Sequence, residues 1–326
     1  MRRLTIISVL AGLVALAAAS ATPAAAKPPG ANGQIAFARF EPALGGAVTY
    51  TVNPDGSHVQ LLFARGAEFP HWSPDGSQVS IFCCDDGMAA HILSPDTGGF
   101  RELSNPDPDL EIHCGFSWSP DGQRLTCETF GVTDPSRNGV YTIRSSDGGG
   151  LTRVTSNPGG DDIPGDYAPN GKRLVFGRVD HPTDPAALGL YVVKVGDNRP
   201  RQIAPAGLLS SFGDWSPQRN EIVFSQHVTP DARSSLWVVH ADGTGLHEIP
   251  VQAQPACGGA YSDPSSQGCF GPRWSPDGKK IVFARGTSPD NDSNIYTVNA
   301  DGSDLTQVTH GGADSSPDWG THPLTG

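Results

Sequence analysis

The chain has 326 residues, 34 Asp and Glu against 22 Lys and Arg, a formal charge of −12, and 40 Gly, 29 Pro and 6 Cys. So acidic a chain repels phosphate backbones and anionic lipid, which excludes nucleic acid and membrane surfaces as electrostatic partners. It suits cations, basic partners or plain solubility.

Arg2 and Arg3 give a basic start, Leu4 to Ala21 is apolar or small throughout, and Ala24-Ala25-Ala26 precedes Lys27. This is the pattern of a secretory signal cleaved near Ala26 and Lys27. The apolar run is long enough to span a bilayer, but it is Ala-rich and ends at a cleavage pattern, so a retained anchor is the weaker reading. Residues 1–26 are expected to be a signal peptide and 27–326 a single domain. Loss of Arg2 and Arg3 moves the charge from −12 to −14. No later segment could span a membrane. The expected address is extracellular or cell-wall associated, and the form of the signal suggests a bacterial exporter.

An even set of six cysteines in such a compartment favours disulfides. Cys257 and Cys269 bracket a short Gly/Ser/Pro-rich insert and are expected to pair. Cys83, Cys84, Cys114 and Cys127 are expected to pair among themselves, with Cys84 to Cys114 favoured. No C-x-x-C spacing supports a metal site.

In chain order, Trp-Ser-Pro-Asp-Gly occurs at Trp72–Gly76, Trp118–Gly122 and Trp274–Gly278, with degenerate copies from Tyr167 and Trp215. A truncated copy ends at Trp319-Gly320. The aromatics recur every 45–49 residues, except for one 59-residue interval holding the insert. Each copy is followed by a short β-rich run, such as Gln78–Phe82 or Lys280–Phe283. A large or apolar residue recurs nine positions after the aromatic, at Ile81, Cys127, Phe176, Phe224 and Phe283. A second half-motif with its own turn follows, as in Ile295–Gly302. Asp-Gly or Asn-Gly between such runs is a hairpin signal, and Pro and Gly rule out helical repeats. Each unit therefore reads as four antiparallel strands, and the spacing matches propeller blades. The chain opens on a second-strand sequence, Gln34–Arg39, and closes on a first-strand sequence, Ser316–Gly320. The fold expected is an all-β, six-bladed propeller whose last strand completes the first blade.

At these residues the chain resembles the TolB-like propellers, built from the PD repeat with its W-S-P-D-G signature. The resemblance covers nearly all of residues 27–326 and is specific for architecture. TolB carries an α/β domain ahead of its propeller, which this sequence is expected to lack. That puts a Tol-system role in doubt. Prolyl oligopeptidase-type enzymes pair similar propellers with a hydrolase domain, which this sequence is likewise expected to lack.

No G-x-S-x-G elbow, P-loop or dinucleotide fingerprint occurs, and His247-Glu248 lacks the second His of a zinc protease. No catalytic residue is assigned. The Asp of each W-S-P-D-G repeats as a turn residue does. The residues around the innermost strand are better candidates. Glu68, His71, His113, Asp162, Asp166, Asp214, Arg273, Asp314 and Asp318 are expected to surround the channel or its mouth. Asp166, Asp214 and Asp318 would suit a hard cation such as Ca²⁺; bracing of the loops by Asp162 and Asp314 is the competing role. His58, His181, His240, His247 and His322 read as surface residues. The function expected is a secreted, monomeric, non-enzymatic scaffold without a resident cofactor, binding protein, peptide or glycan through funnel and rim loops. A channel-site polysaccharide lyase or hydrolase, metal-dependent or not, is the alternative.

Overall fold

The computed structural model describes residues 30–83, 88–179, 188–205, 213–227, 231–253, 256–263, 265–287 and 292–326. The expected signal peptide, Cys84 and His181 lie outside the described residues.

The strands follow in chain order. Blade 1 holds β1 (Ile35–Glu41), β2 (Gly46–Val52) and β3 (Gln60–Phe63). Blade 2 holds β4 (Ala67–Trp72), β5 (Val79–Cys83), β6 (Met88–Ser94) and β7 (Gly99–Ser104). Blade 3 holds β8 (Leu110–Trp118), β9 (Arg124–Gly131), β10 (Gly139–Arg144) and β11 (Thr152–Arg153). Blade 4 holds β12 (Asp161–Tyr167), β13 (Arg173–Val179), β14 (Leu188–Lys194) and β15 (Arg201–Ala204). Blade 5 holds β16 (Asp214–Trp215), β17 (Glu221–His227), β18 (Ser234–His240) and β19 (His247–Glu248). Blade 6 holds β20 (Gly268–Trp274), β21 (Lys280–Gly286), β22 (Asn294–Asn299) and β23 (Thr306–Gln307). β24 (Asp314–Trp319) then pairs with β1 and becomes the inner strand of blade 1.

The result is six four-stranded antiparallel sheets. Their inner strands touch in a cycle, β4 to β8, β12, β16, β20, β24 and back to β4, so the ring is closed.

The repeat motif explains each inner hairpin. Ser73 Oγ donates to Asp75 Oδ1 at 2.6 Å, and Gln78 N donates to Ser73 Oγ at 2.9 Å. Gly76 takes φ 72°, the left-handed conformation the turn requires. The same bonds recur from Ser119 to Asp121 and from Ser275 to Asp277. The motif Asp is thus a turn residue.

Packing between blades supplies the core. The six motif aromatics are at most 6% exposed, and Phe37, Ile81, Cys127, Phe176, Phe224 and Phe283 are fully buried. Apolar clusters straddle junctions: Val175 and Leu190 of blade 4 meet Trp215 and Ile222 of blade 5. Val282 and Ile295 of blade 6 meet Ile35 and Trp319 of blade 1. Each such side chain stabilises by roughly 1.5–3 kcal/mol, and only stacked blades can bury it.

After β24 the tail crosses to blade 2. The His322 ring stacks on Trp72 with centroids 4.9 Å apart, and His322 Nδ1 lies 2.8 Å from Gly76 O. Gln34 N donates to His322 O at 3.0 Å. His322 is therefore 8% exposed rather than a surface residue. Its partners come from both sides of the closing junction, a context no repeat pattern reveals.

Candidate binding site at the channel mouth

In blades 1 to 4 and 6 the start of the inner strand and the end of the second strand meet on one face, here the entry face. Further along the inner strands, Asp214 and Asp318 reach across to the next blade. Asp318 Oδ2 accepts from Trp72 N at 2.8 Å, and Asp214 Oδ2 accepts from Trp274 N at 2.5 Å. Arg273 Nη1 lies 3.6 Å from Asp214 Oδ1. Asp166 Oδ1 accepts from Tyr167 N within its own blade. All three carboxylates are buried, and the Asp214 and Asp318 bonds pin neighbouring blades together. His71 is buried as well, its carbonyl accepting from Trp118 Nε1 at 3.0 Å. Among the described residues no group of three His, Cys, Asp or Glu is placed to hold a metal ion.

Asp162 and Asp314 form a second structural class. Each stands five residues before its aromatic and faces an Arg across the hairpin, Asp162 with Arg178 and Asp314 with Arg39. Arg178 Nε and Nη2 donate to the two Asp162 oxygens at 2.7 Å each, and Asn157 and Thr155 also donate to the carboxylate. Arg39 donates to Asp314 at 2.5 and 2.9 Å, and Thr309 Oγ1 completes the set. Both carboxylate side chains are fully buried. A two-point guanidinium grip on a buried carboxylate fixes the hairpin. Loop bracing is therefore the role the geometry gives these two residues.

Blades 2 and 3 break this pattern. In blades 2, 4 and 6 the inner strand advances three residues while its partner advances two. In blade 3 it advances four, from Cys114 opposite Cys127 to Trp118 opposite Leu125. The longer bulge sets His113 opposite Glu128 rather than opposite Thr129. His113 Nε2 lies 3.3 Å from Glu111 Oε1. Its ring stands edge-on to Phe82 at 5.3 Å and to Phe130 at 6.4 Å. Burial, then repulsion from Asp161 and Glu111, pushes the Glu128 carboxyl up to about 7. Asp161 is raised too, by burial and then by Asp162. Glu68 is exposed at the start of β4, opposite Phe82.

Sequence reasoning named His113 and Glu68 but missed Phe82, Glu111 and Glu128. A signal was present. Ten positions after the aromatic, or its register equivalent in blade 1, stand Ala38, Gly177, Ser225 and Ala284, all buried. Phe82 and Glu128 occupy the same position in blades 2 and 3, and Phe82 is 37% exposed.

Cys257 and Cys269 are bonded, as the insert spacing implies. Cys114 is bonded to Cys127, its register partner, and not to Cys84. The insert folds over the connection after β17: Arg233 N donates to Gly259 O and Tyr261 N to Asp231 O, each at 2.8 Å. Tyr261 stays 49% exposed beneath the Arg233 guanidinium, 5.0 Å from its ring centroid.

No family model matches the chain. The Tol-Pal system protein TolB of Francisella tularensis subsp. mediasiatica is 25% identical over 232 residues, 71% of this chain and 46% of that protein. The solved TolB from Acinetobacter baumannii superposes with a TM-score of 0.62 at 19% identity, over 88% of this chain and 66% of that one. The repeat, the ring and these likenesses agree. The chain is a TolB-like β-propeller. It spans about half the length of the curated relatives it matches. The TolB-like ring is equally similar in shape to Kuenenia stuttgartiensis hydrazine synthase, with a TM-score of 0.62 at 14% identity, over 90% of this chain and 48% of that one. Fold alone therefore does not separate binding from catalysis, and the site must carry the argument.

Proposed function

We propose that this TolB-like propeller is a non-enzymatic binding module exported to an oxidising compartment, and that it engages a protein or peptide partner with its entry face. Phe82 carries the reading: a large apolar side chain is exposed where four other blades place Ala, Gly or Ser. Such a side chain, with aromatic and charged neighbours, is what interface centres use. The two disulfides support the compartment. Cleavage near Ala26, a single domain over 27–326, a monomeric state and independence of a cofactor belong to this proposal.

Immobilised residues 27–326 should enrich a specific protein from a secreted or envelope extract, and Phe82→Ala should lose it. Equal recovery by both forms would sink the reading.

Glu128 favours one second reading. A carboxyl titrating at about 7 opposite His113 has the acid–base poise of a channel-site polysaccharide lyase or hydrolase. Turnover of a uronic-acid polysaccharide, lost in Glu128→Gln, would replace the binding reading; a parallel assay with EDTA tests a metal requirement.

A further inference from the structure

We infer that the entry face over blades 2 to 4 docks an extended segment of a partner protein in which Lys or Arg adjoins an aromatic or aliphatic residue. The inference rests on the binding reading and names the chemistry of its partner.

The apolar half of the surface runs from blade 2 into blade 3. Phe69 is 39% exposed and Phe82 37%. The Phe82 ring meets His113 edge-on, and His113 meets Phe130 edge-on, so aromatic faces run from blade 2 into blade 3. Val132, just past the end of β9, is 63% exposed. Phe69 also holds φ 50° at its bulge, where Gly115 and Gly271 take φ 104° and 53°. A bulky side chain is kept where glycine is relaxed, a conformation that costs on the order of 1–2 kcal/mol.

The charge around this strip selects the occupant. Glu68 flanks it on blade 2, Glu111 and Glu128 on blade 3, and Asp161 on blade 4. Among the described residues, Asp162 and Asp314 have guanidinium partners, whereas Glu128 and Asp161 have no ion pair. A cation from outside would supply that counter-charge and could rest against the aromatic faces. An uncharged apolar segment would desolvate Glu128 and Asp161 further without compensation. A second copy of residues 27–326 brings another −14 and is repelled at long range.

The probe is a fluorescein-labelled decapeptide carrying alternating Lys and Trp between Gly-Ser spacers, followed by fluorescence anisotropy on residues 27–326. Two control peptides replace Lys by Glu or Trp by Ser. The Lys/Trp peptide should bind at least about tenfold tighter than either control, a difference of about 1.4 kcal/mol, and should weaken with salt. Glu128→Gln and Asp161→Asn should each weaken it several-fold, while Asp301→Asn, in an exposed turn between β22 and β23, should not. Unchanged affinity in both Glu128→Gln and Asp161→Asn overturns the cationic preference. If Phe82→Ala still weakens binding in that case, the entry-face reading survives alone; if it does not, both fall. Sedimentation showing a dimer that competes with the peptide would make a second copy the occupant and overturn the inference.

Discussion

Blades 3 and 4 fasten the same hairpin end by different chemistry. In blade 4, Asp162 and Arg178 close it with a buried two-point ion pair, further satisfied by Thr155 and Asn157. In blade 3 the Cys114–Cys127 bond sits at that end, one step from His113 and Glu128. A covalent link needs no charge partner, so the neighbouring carboxylate is not consumed in holding the fold. Blade 4 spends Asp162 and Arg178 on structure; blade 3 leaves Glu128 at the mouth, its carboxyl pushed up by burial and then by Asp161 and Glu111. Reactive or adhesive groups are available where another device has taken over the fastening.

That contrast can be broken most severely in blade 4. Asp162→Ala leaves the Arg178 charge largely buried without its carboxylate and should cost about 3–5 kcal/mol, read by urea unfolding at neutral pH. A loss below 1 kcal/mol would show that the pair is not the fastener. Next comes blade 3: the double change Cys114→Ser with Cys127→Ser opens a link spanning 13 residues. It should cost roughly 2–3 kcal/mol by the chain-entropy account, with the oxidised parent as reference and no further loss when reductant is added to the variant.

Glu128 sharpens the comparison from the opposite side. Its carboxyl titrates at about 7 in the folded chain against an ordinary 4.5, so ionisation favours the unfolded state. The folded form gains from this group below about pH 4.5 and loses that gain as pH rises to about 7. Glu128→Gln should therefore stabilise the protein above pH 7 by on the order of 1–3 kcal/mol, and little at pH 4. A pH series of melting curves that stays parallel would contradict this. The smallest effect is expected at the bulge of β4. Phe69→Gly should raise stability by no more than about 1 kcal/mol by relieving the left-handed backbone, while weakening capture of any entry-face partner. A variant that is both less stable and equally adhesive would remove Phe69 from the site.

The ring was legible because it repeats. The aromatic spacing, the Asp-Gly turns and the second-strand start at Gln34 gave the blades, their number and the closure by β24. Asp166, Asp214 and Asp318 were legible as a recurring position, but not their tasks. Whether Asp214 meets a ligand or the Trp274 amide depends on a neighbour 60 residues away. Cys127 as the partner of Cys114 was hidden for a related reason: it follows from the longer bulge in β8, which spacing to the aromatic alone does not show. Phe82 and Glu128 were missed one position beyond the apolar residue that marks each second strand. There the informative feature is a departure from smallness, and it emerges only when all six copies are aligned. His322 lies past the last copy, where no periodicity remains to read.

The pairing of β1 with β24 also sets an order of events. The strand that β1 needs is synthesised almost last, after five other blades. Until then one flank of β1 keeps open amides and carbonyls, a template for the wrong strand. If the chain is exported as proposed, threaded outward from its amino end, it carries an unsealed seam throughout its passage. Helpers that shield nascent polypeptides should matter more to this ring than its final stability would suggest.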